Sequence, residues 1–470
     1  MQQTPEKRAE IVFRRNHYWN AKENADWYRR ALPWRRTFFS AAAMAGVLRP
    51  PVLEIGAEYG INGMLLETEM GLPSVSLDLS RRALQGAGAM ARLLGLAAPR
   101  RRVAADAERL PYAASSFNTV LLWGALRHFA TPDRLLAEIR RVLAVNGSLI
   151  LADEPIRRRL QIPLWRTAAG QELRGWRKTL LRLGLLPYLA RVGGLNESRW
   201  GVVDRDFTMV ELTDLFTDYL PMKWFYQPRS NGDTPAPDWF SRHRSPDDPE
   251  TEKRLTHWFG GAAFAWLTKP DPLRDLGGGF YLVRKDPRHD HLALRGFSGG
   301  VLCNGLALRA ENGLIELPAE LAGQVLLTLQ APRPFDRLDL RDSVGAVGPA
   351  VHFFSAPAPA DPDESMACPD CVVFTERCVF GDCRTECVAA CPKEALAPTD
   401  PRLPVKTTCD GCGDCLVACP YGGLDRPRLV DRRCPECRRL YSEEADVLDC
   451  RPLSLIKILD LPTLEKVTAI

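Results

Sequence analysis

Through its first 367 residues the chain has a single cysteine, Cys303. That leaves most of the molecule without a disulfide framework or a thiolate metal site. Long apolar runs are missing as well. The longest near the N-terminus, Phe38 to Leu48, is too short to span a bilayer. The opening MQQTPEKRAE is polar and charged and lacks the apolar core of a secretory leader, so the cytoplasm is the expected location. Charge of one sign is scarce too: a net +4 over 470 residues gives no reason to expect nucleic acid as a partner. The content of 46% hydrophobic and 26% charged residues is that of soluble globular proteins. The length makes two or three domains the expectation.

The other 13 of the 14 cysteines fall between Cys368 and Cys450. In a cytosolic chain such a cluster reads as metal ligation, with disulfide staples as the bland alternative. Elsewhere the pattern is that of an α/β protein. Residues 1–50 read as helical and are rich in aromatic and basic residues, among them Tyr18, Trp19, Trp27, Tyr28 and Trp34. From 52 to 152, strand-like runs (PVLEIG, SVSLDLS, RRVAADA, NTVLLWG, GSLILADE) alternate with helical stretches such as RLLAEIRRVL. That alternation predicts a parallel sheet wound by helices. GGGFYLVRK, 277–285, reads as a glycine turn entering a late strand of the same domain, which then spans 1–287. Short apolar runs broken by Gly and Pro suggest a small β-rich domain over 288–355. A Pro/Ala/Asp linker is expected over 356–367, the cysteine module over 368–452 and a tail over 453–470.

LEIGAEYG, 53–60, ends the first predicted strand with Glu54 and the glycines Gly56 and Gly60. Glycines there allow a tight turn and close approach of a ligand to the backbone. Asp78 closes the next strand, where a carboxylate can accept hydrogen bonds from two ribose hydroxyls, and Asp106 closes the third. The G-x-G-x-x-G spacing of dinucleotide binders is absent. This order, with DAERLPYAASSFNTV and the later VNGSLILAD, resembles the class I S-adenosylmethionine (SAM)-dependent methyltransferases, closely over 45–155 and loosely to about 285. The resemblance implies a Rossmann-like sheet and SAM as cofactor. Glu54 and the turn Gly56, Ala57, Glu58 and Gly60 would hold its methionine portion. Asp78, with Leu79, would serve the ribose, and Asp106 and Ala107 the adenine. Trp123 would line the pocket near the sulfonium. Glu58 stands where the family has its middle glycine; its carboxylate would favour the sulfonium if it faced the pocket, and would crowd the cofactor if it filled the loop. His128 is the candidate catalytic base, since its ordinary pKa lies near neutrality; the alternative is a packing or capping histidine. Asp153 and Glu154, at the expected end of the fifth strand, either bind ligand or cap a helix.

Residues 156–191 contain eight arginines, one lysine and a single acid, Glu172, interleaved with Leu, Trp and Tyr. Such a segment suits an anionic membrane surface or an acidic substrate, or is a solvated helix face.

In the cysteine module, Cys409-x2-Cys412-x2-Cys415-x3-Cys419-Pro420 reproduces the bacterial ferredoxin run, whose fourth cysteine reaches the other cluster. Upstream, Cys378-x4-Cys383-x3-Cys387-x3-Cys391-Pro392 keeps only the final Cys-x3-Cys-Pro spacing. Over 376–425 the chain thus resembles two-cluster ferredoxins, small α+β domains holding two [4Fe-4S] clusters. The exchanged-ligand rule gives one cluster Cys391, Cys409, Cys412 and Cys415, and the other Cys378, Cys383, Cys387 and Cys419. Two flanking pairs, Cys368/Cys371 and Cys434/Cys437, suit tetrahedral zinc, a third cluster, or free redox thiols. Cys303 and Cys450 are expected to have no metal role.

The Cys-x3-Cys-x2-Cys loop of radical SAM enzymes is absent, and ordinary methyl transfer is redox-neutral. The combination therefore leaves three readings. One is a methyltransferase, of unknown methyl acceptor, whose clusters sense redox state or dock a redox partner protein. Another is an electron carrier with a degenerate SAM-binding domain. The third is a cluster module that is chiefly structural or a binding module.

Overall fold

The structure is a computed structural model. It describes residues 21–157 and, apart from short gaps, 203–228, 249–353, 358–396 and 408–456, with scattered positions elsewhere. Most of the basic segment 156–191, the polar loop 231–248 and most of the tail 453–470 lie outside the described residues.

Five apolar runs form parallel strands: β1 (Val52–Ile55), β2 (Ser74–Asp78), β3 (Arg101–Ala104), β4 (Phe117–Trp123) and β5 (Leu143–Ile156). β1 and β2 are almost fully buried along their length. That is what a sheet covered on both faces requires, and it explains why these segments read as continuous rather than alternating apolar runs. The order is β3-β2-β1-β4-β5, continued by the antiparallel strands Gly261–Thr268 and then Leu220–Pro228. β1 therefore pairs with β2 on one side and β4 on the other, a topological switch point of the kind where ligands bind in open sheets. The helix Ala21–Met44 covers one face, with Tyr28, Trp34, Phe38 and Phe39 buried in the core it shares with β1 and β4.

β5 does not end at Asp153 and Glu154. It runs on to Ile156 through a register shift between Leu151 and Glu154, with Asp153 at φ 58°. A bulge of this kind re-aims a side chain without ending the ladder.

The strand Phe280–Lys285 does not belong to this sheet. It turns through Gly278 and Gly279 from Leu273–Gly277 and pairs antiparallel with Gly323–Leu329. Its ladder partner lies some forty residues downstream, so the boundary falls near residue 270 rather than 287. Among the described residues, five strands form one antiparallel sheet and four form another (Leu314–Glu316, His291–Leu294, Arg337–Arg341, Ala350–Phe353). Leu292, Leu294, Val301, Cys303 and Val325, drawn from both sheets, share one apolar core, the arrangement of a small sandwich.

The expected linker is ordered at its end. Asp361 caps the turn Pro362–Ser365, and Arg101 of β3 pairs with Asp361 and Asp363 at 2.9 Å each. The cysteine-rich region then divides in two. Residues from 373 to 425 form a unit closed at its neck by a two-stranded ladder, Val373–Phe374 with Leu424–Asp425, and carrying the short helices Glu386–Ala389 and Asp414–Ala418. The flanking parts return to the α/β domain. Val447–Asp449 pairs parallel with β3, Arg102↔Val447 to Ala104↔Asp449, and Glu443–Glu444 pairs with it in turn. Met366, Cys368, Cys434, Tyr441 and Cys450 are buried in the same core as Val103, Leu110 and Phe117. Among the described residues the main sheet thus has nine strands, and its far edge is built from residues 443–449.

Candidate functional site

The three acids singled out by the sequence come together along the carboxyl ends of β1, β2 and β3. Glu54 is 2% exposed; it accepts from the Asn62 side-chain amide at 2.6 Å and from the Gly63 N–H at 3.3 Å. Burial pushes its carboxyl up to about 7, against the opposing pull of Asn62 and Arg35. Asp78 accepts from the Glu58 N–H at 2.8 Å and the Ser80 N–H at 2.7 Å, which fixes the β1 loop to the end of β2; Leu79 beside it is half-buried. Asp106 caps the turn Ala107–Arg109 through the Glu108 N–H at 3.0 Å, and both Asp106 and Ala107 are buried.

The loop between β1 and its helix needs its glycines. Gly56 has φ +74°, and a Cβ there would stand 2.8 Å from that of Ala125. Gly60 shares that φ, with Pro99 and Ser76 inside 3 Å of a Cβ. Glu58 adopts φ 56° without being glycine, a conformation that costs on the order of 1 kcal/mol. Its carboxylate accepts a hydrogen bond from the Tyr28 hydroxyl of the covering helix, so it is drawn toward that helix. Ala57 packs with Leu84, Ala104 and Val447.

The covering helix supplies what the sequence reading missed. Arg35 is 5% exposed, donates to the Asn62 side-chain amide oxygen and lies 4.2 Å over the Trp123 ring. Trp34 and Phe38 meet that ring edge-on at 4.9 and 5.4 Å. Burial pulls the Arg35 guanidinium below its ordinary range, while Tyr28, Glu54, Asp153 and Glu58 act the other way. The aromatic and basic character of residues 1–50 was the visible signal; that one arginine would point inward was not.

His128 lies in the turn Leu126–His128 after β4. Its Nδ1 is 2.9 Å from the Val203 carbonyl oxygen, which makes Nδ1 the protonated nitrogen, and Nε2 accepts from Arg127 at 3.3 Å. Glu154, fully buried, accepts from the Leu126 and Arg127 N–H groups at 2.9 and 3.1 Å. It caps that turn, the structural of its two alternatives. Burial pushes its carboxyl up to about 7.

The cysteines sort into three groups. Cys409, Cys415 and Cys391 are electrostatic neighbours, and Cys415, with Cys412 and Cys409 beside it, is pushed up to about 12, chiefly by burial. Cys387 is pushed up to about 11, by burial first and then by Cys419, Cys383 and Cys378. The backbone N–H groups of Ala395 and Gly423 approach the Cys391 and Cys419 sulfurs at 3.3 Å each, in both cases four residues beyond the cysteine. In the third group, the Sγ atoms of Cys368, Cys371, Cys434 and Cys437 all lie within 4.8 Å of one another. Among the described residues this is the only such tight group of possible ligands. The Cys371 hydrogen bond, opposed by burial and aided by Tyr441, holds Cys368 below the ordinary thiol range; the same bond pushes Cys371 up.

The unit 373–425 is fastened to the α/β domain by buried charge. Glu138 of the helix Asp133–Val142 pairs with Arg141 at 2.8 Å and Arg426 at 3.5 Å, and Arg141 reaches Asp425 at 2.9 Å. Arg134 pairs with Asp414. Arg109, three residues past Asp106, donates to the Asp410 carbonyl at 3.2 Å, between Cys409 and Cys412. No helix of the described residues is long and apolar enough to cross a membrane.

Residues 53–151 match the family model described as a methyltransferase domain. A malonyl-[acyl-carrier protein] O-methyltransferase of Laribacter hongkongensis is 37% identical over 109 residues, a stretch that covers 22% of this chain and 36% of that relative. The chain thus spans about a third of the length of that relative. Solved structures with likeness include a SAM-dependent methyltransferase from Thermotoga maritima (16% identity, 55% of this chain and 97% of that one, TM-score 0.31). Another is the YcgJ protein from Bacillus subtilis (15% identity, 50% and 98%, TM-score 0.29).

Proposed function

The chain carries a methyltransferase domain over residues 53–151, and from that premise we propose that it moves a methyl group from SAM to an acceptor under the influence of two [4Fe-4S] clusters. The observation that carries the first half is the row of acids Glu54, Asp78 and Asp106 at the ends of three adjacent strands, beside a loop whose glycines leave no room for a Cβ. Bound SAM supplies an activated methyl group. Glu54 would accept from the ammonium of the methionine portion, Asp78 would hold the ribose, and Asp106 and Ala107 would face the adenine. Positioning of this kind supplies much of the rate of a methyl transfer. His128, whose Nδ1 is committed to the Val203 carbonyl, would take an acceptor's proton only at Nε2, after displacing Arg127. The acceptor itself is not defined by these residues.

Asp78→Ala is expected to weaken SAM binding about ten- to a hundredfold, from about 1–3 kcal/mol of lost hydrogen bonding. Calorimetric titration of the full chain measures it, and unchanged affinity would remove Asp78 from the pocket. The pH dependence follows from Glu54. Its carboxyl lies at about 7 in the fold against an ordinary 4.5, so its stabilising effect is present below pH 4.5 and lost as pH rises through 7. The ionised form that an ammonium needs grows over the same range. SAM affinity should therefore rise about tenfold from pH 6 to pH 8, and Glu54→Gln should abolish that rise. A slope that persists in Glu54→Gln would assign it to another group.

For the clusters, the two thiol groupings support the exchanged-ligand assignment, and the N–H groups aimed at Cys391 and Cys419 suit sulfurs that carry negative charge. The Arg109–Asp410 contact favours a sensing role, because it ties the proposed adenine turn to a proposed cluster loop. The electron-carrier reading drew its weight from Glu58, whose carboxylate is taken up by Tyr28. Absence of methylated product from any acceptor, together with reversible reduction, would restore it.

A further inference from the structure

We propose that Cys368, Cys371, Cys434 and Cys437 bind one zinc ion, and that this ion pins the strand Val447–Asp449 to the sheet that carries the SAM site. The second half rests on the SAM reading above.

The geometry fits a mononuclear tetrahedral ion. Zinc–thiolate bonds of about 2.3 Å place the four sulfurs of a regular tetrahedron about 3.8 Å apart. Cys368 and Cys437 are 3.8 Å apart, and Cys434 and Cys371 3.9 Å, across two chain segments separated by more than sixty residues. A cubane binds each thiolate through a different iron and would hold the sulfurs wider. The site has the supporting bonds of a charged thiolate cluster: the Tyr441 hydroxyl lies 3.0 Å from the Cys368 sulfur, and the Cys437 N–H donates to the Cys434 sulfur at 3.4 Å. Outer contacts of this kind orient metal ligands. Cys368 and Cys434 are fully buried, while Cys437 is exposed, so an ion can enter from one side. A tetrahedral four-sulfur site accepts zinc or iron. Zinc is the assignment because two of the ligands are embedded in the apolar core of a sheet, where a static staple is needed and electron transfer is not.

The mechanical link is short. The second knuckle is held by the Cys434 N–H to the Arg439 carbonyl at 2.9 Å and by the Arg439–Asp370 ion pair. Tyr441 follows, then the hairpin whose second strand runs along β3 and whose Cys450 N–H donates to the Ala104 carbonyl at 2.8 Å. Val447 of that strand packs on Ala57, inside the proposed SAM loop. Residues 431–438 are mostly exposed, so little apolar burial holds the knuckle together, and metal binding supplies the folding energy that such small loops lack.

The test uses full-length chain purified without oxygen. Metal analysis should find one zinc beside the iron. Cys434→Ser should lose that zinc, keep the iron, melt at lower temperature and bind SAM at least tenfold more weakly. Should Cys434→Ser not fold, Cys437→Ser at the exposed corner is read instead. Val447→Gly should keep the zinc and still weaken SAM, which separates the strand from the ion. Iron in place of zinc, lost in Cys434→Ser, would overturn the metal assignment. Loss of zinc with unchanged SAM affinity would overturn the pinning. Should the parent chain not bind SAM at all, the methyltransferase reading falls, while zinc content and melting temperature still decide the metal site.

Discussion

Glu138→Ala is expected to destabilise the protein by about 3–5 kcal/mol, the cost of leaving buried guanidinium groups without their counter-charge. Glu138 is 3% exposed. Burial alone would push its carboxyl up, but Arg141 and Arg426 overcome that and hold it below its ordinary range. Its oxygens also accept from the Leu110 N–H at 2.7 Å. Arg141 keeps Asp425 in the variant, whereas Arg426, 2% exposed, keeps only backbone carbonyls near Pro369 and Gly411. The exposed pair Arg36–Glu69 is the contrast: breaking it should cost under about 1 kcal/mol. Denaturant unfolding followed by tryptophan fluorescence measures both, and a loss below about 1 kcal/mol for Glu138→Ala would mean that the buried network is not what fastens the two units. The pH sign follows from the lowered carboxyl. Its contribution is present above the ordinary value of 4.5 and disappears as pH falls through the lower folded value.

Cys412→Ser is expected to remove about half of some eight iron atoms per chain, because in the proposed assignment Cys412 serves only one of two four-iron clusters. The unit 373–425 has few other resources. The buried core there is Val372, Leu396, Cys415 and Leu424, and half of the partly buried residues packed around it are cysteines. Units that small commonly draw on a metal or another staple to fold. Cys383→Ser, in the run with irregular spacing, should spare the cluster that Cys412 serves. Iron content and the visible spectrum of oxygen-free protein read both variants. A parent chain with zinc but no iron would end the cluster reading.

The parallel sheet was legible because buried strands alternating with helices leave a periodic signature, and the acids Glu54, Asp78 and Asp106 mark the strand ends. The spacing of Cys409, Cys412, Cys415 and Cys419 was legible because it is local. What escaped was pairing over long distance. VLD, 447–449, is too short to show a period, and only the presence of β3 beside it makes it a strand. Phe280–Lys285 carried a sound strand pattern, yet nothing in it says which sheet it joins. Arg35 looked like one more basic residue of a helical stretch; its burial depends on Trp123 and Asn62, which arrive from other elements. Glu154 seemed to end a strand because an acid there is the common sign of an edge, whereas the bulge lets the strand continue.

The sheet's outer edge is also the last part of it to be made. Arg102 of β3 meets Asp446 from 344 residues further along the chain. At ribosomal speeds of 5–20 residues per second, roughly 20 to 70 s separate the two. For that interval β3 waits as an open edge, with unpaired backbone groups able to recruit another strand. Two of the four thiols that would hold its partner in place, Cys434 and Cys437, emerge just before it. On the proposed zinc assignment, closure of this sheet edge and binding of the metal would fall close together in biosynthesis. Cells short of that metal should accumulate newly made chains that have every pocket residue and are still open to proteases.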